Sequence, residues 1–314
     1  MNRSEVRQLI KIVTLYYDKG MKQADIAKAL NLSQSQVSRA ITKAQKEGYV
    51  KISVVQPPYI FIELEQQLQA SYGIAQVIVV DIPDGAGAEQ IQKEIGSMAA
   101  HYIQTTLAKD DLVGITSWSE TIRKMVDAMH PLPNKASGVI QILGGVGQNN
   151  NLQATLVTHS LSHMLGCPSY LLPAMSIERS IEDKQRLASS PDVAEVLSKF
   201  KDIDVALVGI GPLEPSEVLR NSGNYYDEDV QRLLNEKGAV GNICLHYYDQ
   251  DGEPVLCDDE DPVMSMSLAE LKECPRVIAL AGGEEKVDAI RGALAGGLLD
   301  VLITDRVTAE ALVR

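Results

Sequence analysis

The sequence holds only four cysteines, Cys167, Cys244, Cys257 and Cys274, and no two of them form a C-x-x-C pair. This spacing excludes a zinc ribbon or dithiol redox centre and fits reduced thiols in a cytoplasmic protein. There is no signal peptide and no long apolar run, so no membrane partner is expected. His159 and His163 stand four apart, but Ser160 occupies the place where an H-E-x-x-H site needs glutamate. Asp249 and Asp251 lack the further ligands of an EF-hand, and the acidic run 258–261 reads as a solvated loop. No metal or cofactor is implied, and no repeat or low-complexity segment interrupts the chain.

The 314 residues leave room for two domains, and a 45% apolar share suffices for a sizeable core. The net charge of -13 is unevenly spread. Residues 1–55 hold ten bases and four acids, a local +6, which leaves -19 for the remainder. A basic head on an acidic body suits a chain that meets phosphate with one end only.

That head carries the clearest local pattern. A first helix is expected from about Ser4 to Tyr17, ended by Gly20, followed by a short helix over QADIAKAL. From Gln34 a third helix has an apolar seam at Val37, Ile41 and Ala44, with Ser35, Arg39, Thr42 and Lys46 on its opposite face. Ser33 and Gln36 form an S-x-x-Q capping box, and Gly48 supplies the stop. Two short helices about a tight turn, the second displaying donors, is the plan of a DNA-reading helix-turn-helix. Arg39 is suited to guanine, and Gln34 or Gln36 to adenine. Ser33, Ser35 and Ser38 are short donors, while Gln23 and Lys43 are placed for the phosphate backbone. YVKISVV (49–55) alternates like the strand of a wing, and Gln56-Pro57-Pro58 reads as a linker. The expected domains are 1–55 for DNA binding and 56–314 for effector binding and oligomerisation.

Beyond the linker, an amphipathic helix at Phe61, Leu64, Leu68 and Tyr72 ends at Gly73. Apolar strands at 76–81, 112–116, 138–143, 204–211, 276–282 and 300–305 then alternate with helices, among them 88–107, one starting at Trp118, 153–165 and GEEKVDAIRGAL. This is the signature of an α/β domain with a largely parallel sheet. YYDQDGEPV (247–255) reads as a hairpin turning at Asp251-Gly252.

Two strand ends carry candidate ligand chemistry. In LVGITSWSETIRK a buried strand gives way to Thr116, Ser117, Ser119 and Thr121 as a helix begins, and free amides and the helix dipole favour an anion there. In AGGEEKVDAI, Gly282 and Gly283 permit close backbone approach, and Lys286 is expected on the first turn of a helix, where the dipole disfavours it unless an anion is near. GGVGQ (144–148) and GIG (209–211) are further glycine-rich strand ends, converging on the carboxyl edge where open α/β sheets bind ligands.

These segments, with GAVGNICLHYYDQDGEPV and DVLITDRVTAEAL, make the chain resemble the SorC/DeoR-type sugar-binding transcriptional regulators over essentially its whole length. The resemblance implies a winged helix-turn-helix head and a Rossmann-like, mostly parallel α/β effector domain similar to sugar-phosphate isomerases and deaminases. It implies a homodimer or homotetramer on a roughly palindromic operator, answering to a sugar, polyol or sugar phosphate. It marks Thr116, Ser117, Ser119 and Thr121 as the phosphate cradle, Lys286 as an effector contact, and Gly145 and Gln148 as part of the pocket loop. Four positions depart from the family pattern: Ser119 for the glycine of S-W-G-x-T, Asn242 for the aspartate of G-D-I, Leu143 where one branch carries a Schiff-base lysine, and Lys22 for a threonine. Asn242 thereby becomes a neutral candidate contact for sugar hydroxyls, and Leu143 excludes covalent capture. The leading expectation is an effector-controlled regulator of a carbohydrate or polyol operon. The alternative is a sugar-phosphate enzyme with an appended DNA-binding head, against which stands the lack of a paired acid and base.

Overall fold

The computed structural model describes residues 3–50, 57, 59–148, 151–257 and 259–314. The chain divides into two compact units, Met1–Pro57 and Pro58–Arg314.

In the first unit α1 (Arg3–Val13) runs on into one wide π-helical turn, Thr14–Asp18, where a continuous helix to Tyr17 is expected. Tyr16 and Tyr17 meet edge to face at the bend, and the Tyr17 hydroxyl accepts from Gln45 Nε2 at 2.7 Å. α2 (Gln23–Leu30) and α3 (Gln34–Lys46) match the two expected helices. The turn between them passes through Asn31 in the left-handed conformation that asparagine tolerates. Val37, Ile41 and Ala44 of α3 bury against Ile26, Ala27, Leu9, Ile12 and Val13. After α3, Tyr49 and Val50 fold back onto the Ala44 carbonyl. The remainder of the expected wing, and the linker apart from Pro57, lie outside the described residues.

The second unit opens with α4 (Ile62–Tyr72), closed by Gly73 at φ +69°. The chain continues through β1 (Gln76–Val80), α5 (Ala88–Thr106), β2 (Leu112–Ile115), α6 (Glu120–Ala128), β3 (Gly138–Gln141), α7 (Gln153–Leu165) and β4 (Ser169–Tyr170). Next come α8 (Ile181–Ala188), α9 (Pro191–Ser198), β5 (Val205–Gly209), α10 (Glu217–Ser222), α11 (Glu228–Glu236), β6 (Gly241–Ile243) and β7 (His246–Tyr248). It ends with α12 (Leu268–Glu273), β8 (Val277–Leu280), α13 (Val287–Ala295), β9 (Val301–Asp305) and α14 (Arg306–Val313).

Seven strands form one parallel sheet in the order β1-β9-β8-β5-β2-β3-β4. Alternate residues feed opposite faces. Val77, Ala206, Val277 and Leu302 join one core with α4, α9, α12, α13 and α14, while Val113, Val205, Ile278 and Ile303 join the other with α5, α6 and α7. Burial on both faces explains why the strands read as unbroken apolar runs rather than alternating ones. β2 connects onward to β3 on one side, whereas β5, its neighbour on the other, connects toward β8. The gap between their carboxyl ends is therefore a topological switch point, where backbone loops diverge and leave a crevice.

β6 and β7 form a separate antiparallel pair joined by Cys244 and Leu245, both left-handed (φ 53° and 64°). Nothing in the sequence signals this turn, because such two-residue turns normally take asparagine or glycine. The expected hairpin over 247–255 follows it: Tyr248 bridges Pro254, and Asp249 Oδ1 accepts from the amides of Asp251 and Glu253.

Candidate functional site

On α3 the capping box is formed. Ser33 Oγ accepts from Gln36 N at 3.2 Å, and Gln36 Oε1 accepts from Ser33 N at 2.8 Å. Gln36 thus commits its carbonyl to the helix start and keeps only its amide donors for a partner. Arg39 Nε donates to the Ser35 carbonyl at 3.2 Å, and its terminal amino groups make no bond among the described residues. Gln34, Ser35, Ser38 and Lys43 are exposed on the same unit, Ser33 bonds Ser35 through their hydroxyls, and Lys43 lies 3.8 Å from Glu47. Gln23 is half-buried as the first residue of α2. Lys22, preceding it, makes no side-chain cap, as a lysine in place of threonine dictates.

In the second unit a cleft of about 750 Å³ opens over the β2/β5 switch point. Thr116, Ser119, Thr121, Asn242 and Lys286 line it. Ser119 is the N-cap of α6, its Oγ accepting from Ile122 N at 3.4 Å, so the helix begins two residues later than Trp118. Thr116 Oγ1 donates to the Leu207 carbonyl and accepts from Gly209 N, which locks the ends of β2 and β5 together. The two glycines of GIG serve the same wall. A Cβ on Gly209 would meet Ser119 Oγ at 2.8 Å, and one on Gly211 would meet Asn242 Nδ2 at 2.7 Å. Asn242 Nδ2 donates to the Pro212 carbonyl at 3.0 Å, a bond that an ionised aspartate could not make. Here the departure from the family aspartate is matched by a local acceptor.

Ser117, Gly145 and Gln148 stand apart from the cleft lining. Ser117 is buried with its hydroxyl 2.8 Å from that of Thr158. Gly145 packs on the Gln141 carboxamide, and Gly144 so closely on Met175 that a Cβ would lie 2.2 Å from its carbonyl oxygen. Gln148 lies over Gly223. The glycines of GGVGQ thus admit protein backbone and side chains rather than opening onto the cleft.

Charge in the cleft is mostly committed. Arg123 is held by Glu120 and Asp127, and Lys124 by Glu89 at 3.3 Å. The Arg123 hydrogen bond holds the Glu120 carboxyl below its usual range, partly opposed by burial. Lys286 differs: among the described residues its ammonium makes no ion pair or hydrogen bond. Burial pushes its pKa down, and Glu285 only partly offsets this. Lys286 ends a single 3₁₀ turn, Glu284–Lys286, and occupies the N-cap position of α13 rather than standing on its first turn. The loop is anchored from behind, since Gly283 N (φ +108°) donates to Asp305 Oδ2 and Thr308 Oγ1, both at 2.9 Å. Its amide is spent on the fold, and the lysine is what it presents.

Several lining residues carry no sequence signal: Arg123, Lys124, Gln153, Glu214, Cys244 and Leu245. Trp118, the sole tryptophan, lines the cleft and donates Nε1–H to the Gly144 carbonyl at 2.8 Å. Among the described residues no group of three or more His, Cys, Asp or Glu side chains could hold a metal ion, and no helix is long and apolar enough to cross a membrane.

Comparison with known proteins places both units. Residues 12–51 match the winged helix-turn-helix DNA-binding family, and residues 57–314 match the family described as "Putative sugar-binding domain". The chain belongs to the SorC/DeoR family of sugar-binding transcriptional regulators. It is 31% identical over 317 residues to the deoxyribonucleoside regulator of Bacillus subtilis (strain 168), covering 100% of this chain and 99% of that one. The full-length sorbitol operon regulator SorC from Klebsiella pneumoniae superposes with a TM-score of 0.74 at 26% identity, over 99% of this chain and 100% of that one. A domain of the regulator DeoR from Pseudomonas syringae pv. tomato reaches 46% identity and a TM-score of 0.65, over 80% of this chain and 98% of that one. These SorC-family relatives are transcriptional regulators, not enzymes. The protein is accordingly a transcriptional regulator that binds DNA through its helix-turn-helix and carries a sugar-type effector domain.

Proposed function

We propose that this SorC-family protein controls an operon of carbohydrate or polyol catabolism and that its effector is a sugar or polyol carrying a phosphate. The observation that carries the effector class is Lys286, an ammonium without a partner among the described residues, in a cleft whose other bases are neutralised. The phosphate sits between Lys286 and the N-terminus of α6, where Ser119, Thr121 and the helix dipole favour an anion. Asn242 and Thr116 meet the sugar hydroxyls. The relatives' names, a deoxyribonucleoside and a sorbitol operon regulator, support a sugar or polyol; the phosphate rests on Lys286 alone.

On DNA, Arg39 and Gln34 read base edges, Ser35, Ser38 and the Gln36 amide add short contacts, and Gln23, Ser33 and Lys43 hold the backbone. A dimer sets two α3 helices in successive major grooves about 34 Å apart, so the operator is roughly palindromic. The effector binds one subunit arrangement more tightly and shifts the DNA-competent population by that difference. A thermal-shift panel of sugars and polyols, each with and without its phosphate, tests the class. Stabilisation by phosphorylated compounds alone, lost in Lys286→Ala, is expected. Equal stabilisation by the neutral compounds would overturn it.

A further inference from the structure

Asp261, the last residue of the acidic run expected to be solvated, is instead buried, and it anchors a chain of hydrogen bonds that ends on the cleft wall. Its Oδ2 lies 2.5 Å from His246 Nδ1, His246 Nε2 lies 2.7 Å from Ser265 Oγ, and Ser265 Oγ donates to the Cys244 carbonyl at 3.0 Å. The other oxygen of Asp261 accepts from Tyr226 OH at 3.2 Å and Val263 N at 3.1 Å. Cys244 and Leu245 form the left-handed turn between β6 and β7, and both line the cleft. Side chains disfavour that conformation, so the turn persists only where its surroundings over-determine it. Ser265 supplies one restraint. Packing of Leu245 beside Trp118, Tyr226 and Tyr247 supplies another.

Hydrogens can be counted along the chain. Three links, from Asp261 to His246, His246 to Ser265, and Ser265 to Cys244, need three hydrogens. A neutral imidazole and a serine hydroxyl supply two. With Asp261 ionised, every link is made only when the imidazole carries both of its N–H groups. When it carries one, the Ser265 hydroxyl turns to Nε2 and releases the Cys244 carbonyl. Ionised Asp261 accompanies the doubly protonated imidazole: burial alone would raise its carboxyl, but the hydrogen bond and charge of His246, the Val263 amide and Lys184 together hold it below the usual value. Among the described residues, Glu178 also stands beside the chain: its amide donates to the Pro262 carbonyl and its Oε1 is buried without a hydrogen bond. Lys184 on α8 donates to the Asp261 backbone carbonyl, Tyr226 precedes α11, Tyr247 is next to His246, and Glu270 on α12 is the acidic charge felt at Cys244.

We propose that His246, Ser265 and Asp261 are positioning residues for the effector, holding the Cys244–Leu245 turn in its binding shape when the imidazole is doubly protonated. Effector binding is then linked to proton uptake. The proposal rests on the cleft being the effector site, as argued above. It assigns these three residues no contact with the ligand.

Trp118 provides a readout that needs no ligand, since it is the only tryptophan and packs in one cluster with Leu245. The experiment follows its emission from about pH 5 to about pH 8. Full-length wild type, Ser265→Ala, Ser265→Thr and His246→Gln are compared, with circular dichroism reporting the fold. Each is then titrated with sorbitol 6-phosphate and 2-deoxyribose 5-phosphate at both ends of the range. Wild-type emission should change with pH, as should Ser265→Thr, which keeps the hydroxyl. Ser265→Ala and His246→Gln should be flat and bind the responsive probe about tenfold more weakly, as loss of one hydrogen bond implies. The phosphate's own titration is common to all variants and cancels in the comparison. Folded Ser265→Ala or His246→Gln with the wild-type pH profile and affinity would overturn the relay. Should Ser265→Ala fail to fold, His246→Gln and Ser265→Thr decide the matter by the same criteria. Failure of both probes to bind wild type would count against the proposed effector class, and the ligand-free emission profile would still decide the relay.

Discussion

Replacing Lys286 by methionine should make the ligand-free protein more stable and, at the same time, deaf to its effector. Methionine keeps the length of the lysine stem and its packing while removing the charge. What is lost is an ammonium whose burial is opposed by no ion pair among the described residues. An unsatisfied buried polar group costs about 1–3 kcal/mol, and because Lys286 is only partly buried the low end, about 1 kcal/mol, applies. For a unit the size of Pro58–Arg314 that is about 2–4 °C in Tm. The pH dependence gives a second handle. The folded pKa lies below the unfolded one, so between the two values the unfolded chain binds more protons and wild-type stability rises with pH. The advantage of Lys286→Met should therefore be full below the lowered folded value and shrink as pH climbs from there toward the ordinary 10.5. Scanning calorimetry of wild type and variant at neutral and alkaline pH measures both. A variant less stable than wild type at neutral pH, or an offset that pH does not alter, would refute the reasoning.

Further outcomes are expected elsewhere in the molecule. Ser33→Ala removes one arm of the α3 capping box and should cost the first unit about 1 kcal/mol, seen as faster hydrogen exchange in the first turn of α3. Arg39→Ala should lose about 1–3 kcal/mol of base discrimination while retaining salt-dependent, non-selective binding, measured by anisotropy against a selected operator and a scrambled duplex. Asn242→Asp should destabilise the second unit by about 1–3 kcal/mol by setting a carboxylate against the Pro212 carbonyl, with a penalty that shrinks at acidic pH, where the carboxylic acid can donate. Gly209→Ala should displace Ser119 from the cleft wall and weaken effector binding far more than it lowers Tm, since only a serine side chain has to give way.

Much of the architecture is legible because its causes are local. The S-x-x-Q box, the seam of α3 and the left-handed glycine after α4 each act within a few residues. The strands announce themselves through burial on both faces. The π-helical turn after α1 and the turn at Cys244–Leu245 were not legible, because distant contacts impose them: Gln45 reaching Tyr17 in one case, Ser265 reaching the Cys244 carbonyl in the other. Glycine-rich strand ends were ambiguous for a different reason. A missing Cβ admits any close neighbour, and in GGVGQ that neighbour is Met175 or Gln141 rather than the cleft, while in GIG it is Ser119 and Asn242. Arg123 and Lys124 escaped notice because on a helix surface they look like any solvated pair, and only the fold turns them toward the cleft. Asp261 shows the converse, one buried member hidden in an acidic run.

Control of DNA occupancy by a carbohydrate ligand in the cleft can be followed by titrating DNA fragments selected by the protein itself, with fluorescence anisotropy, in the presence and absence of the phosphorylated compound that most raises Tm. This compound should change DNA affinity in wild type and leave it unchanged in Lys286→Met, while both proteins bind the ligand-free operator alike. An affinity for DNA that no cleft ligand alters, or one that the same compound alters equally in Lys286→Met, would contradict it.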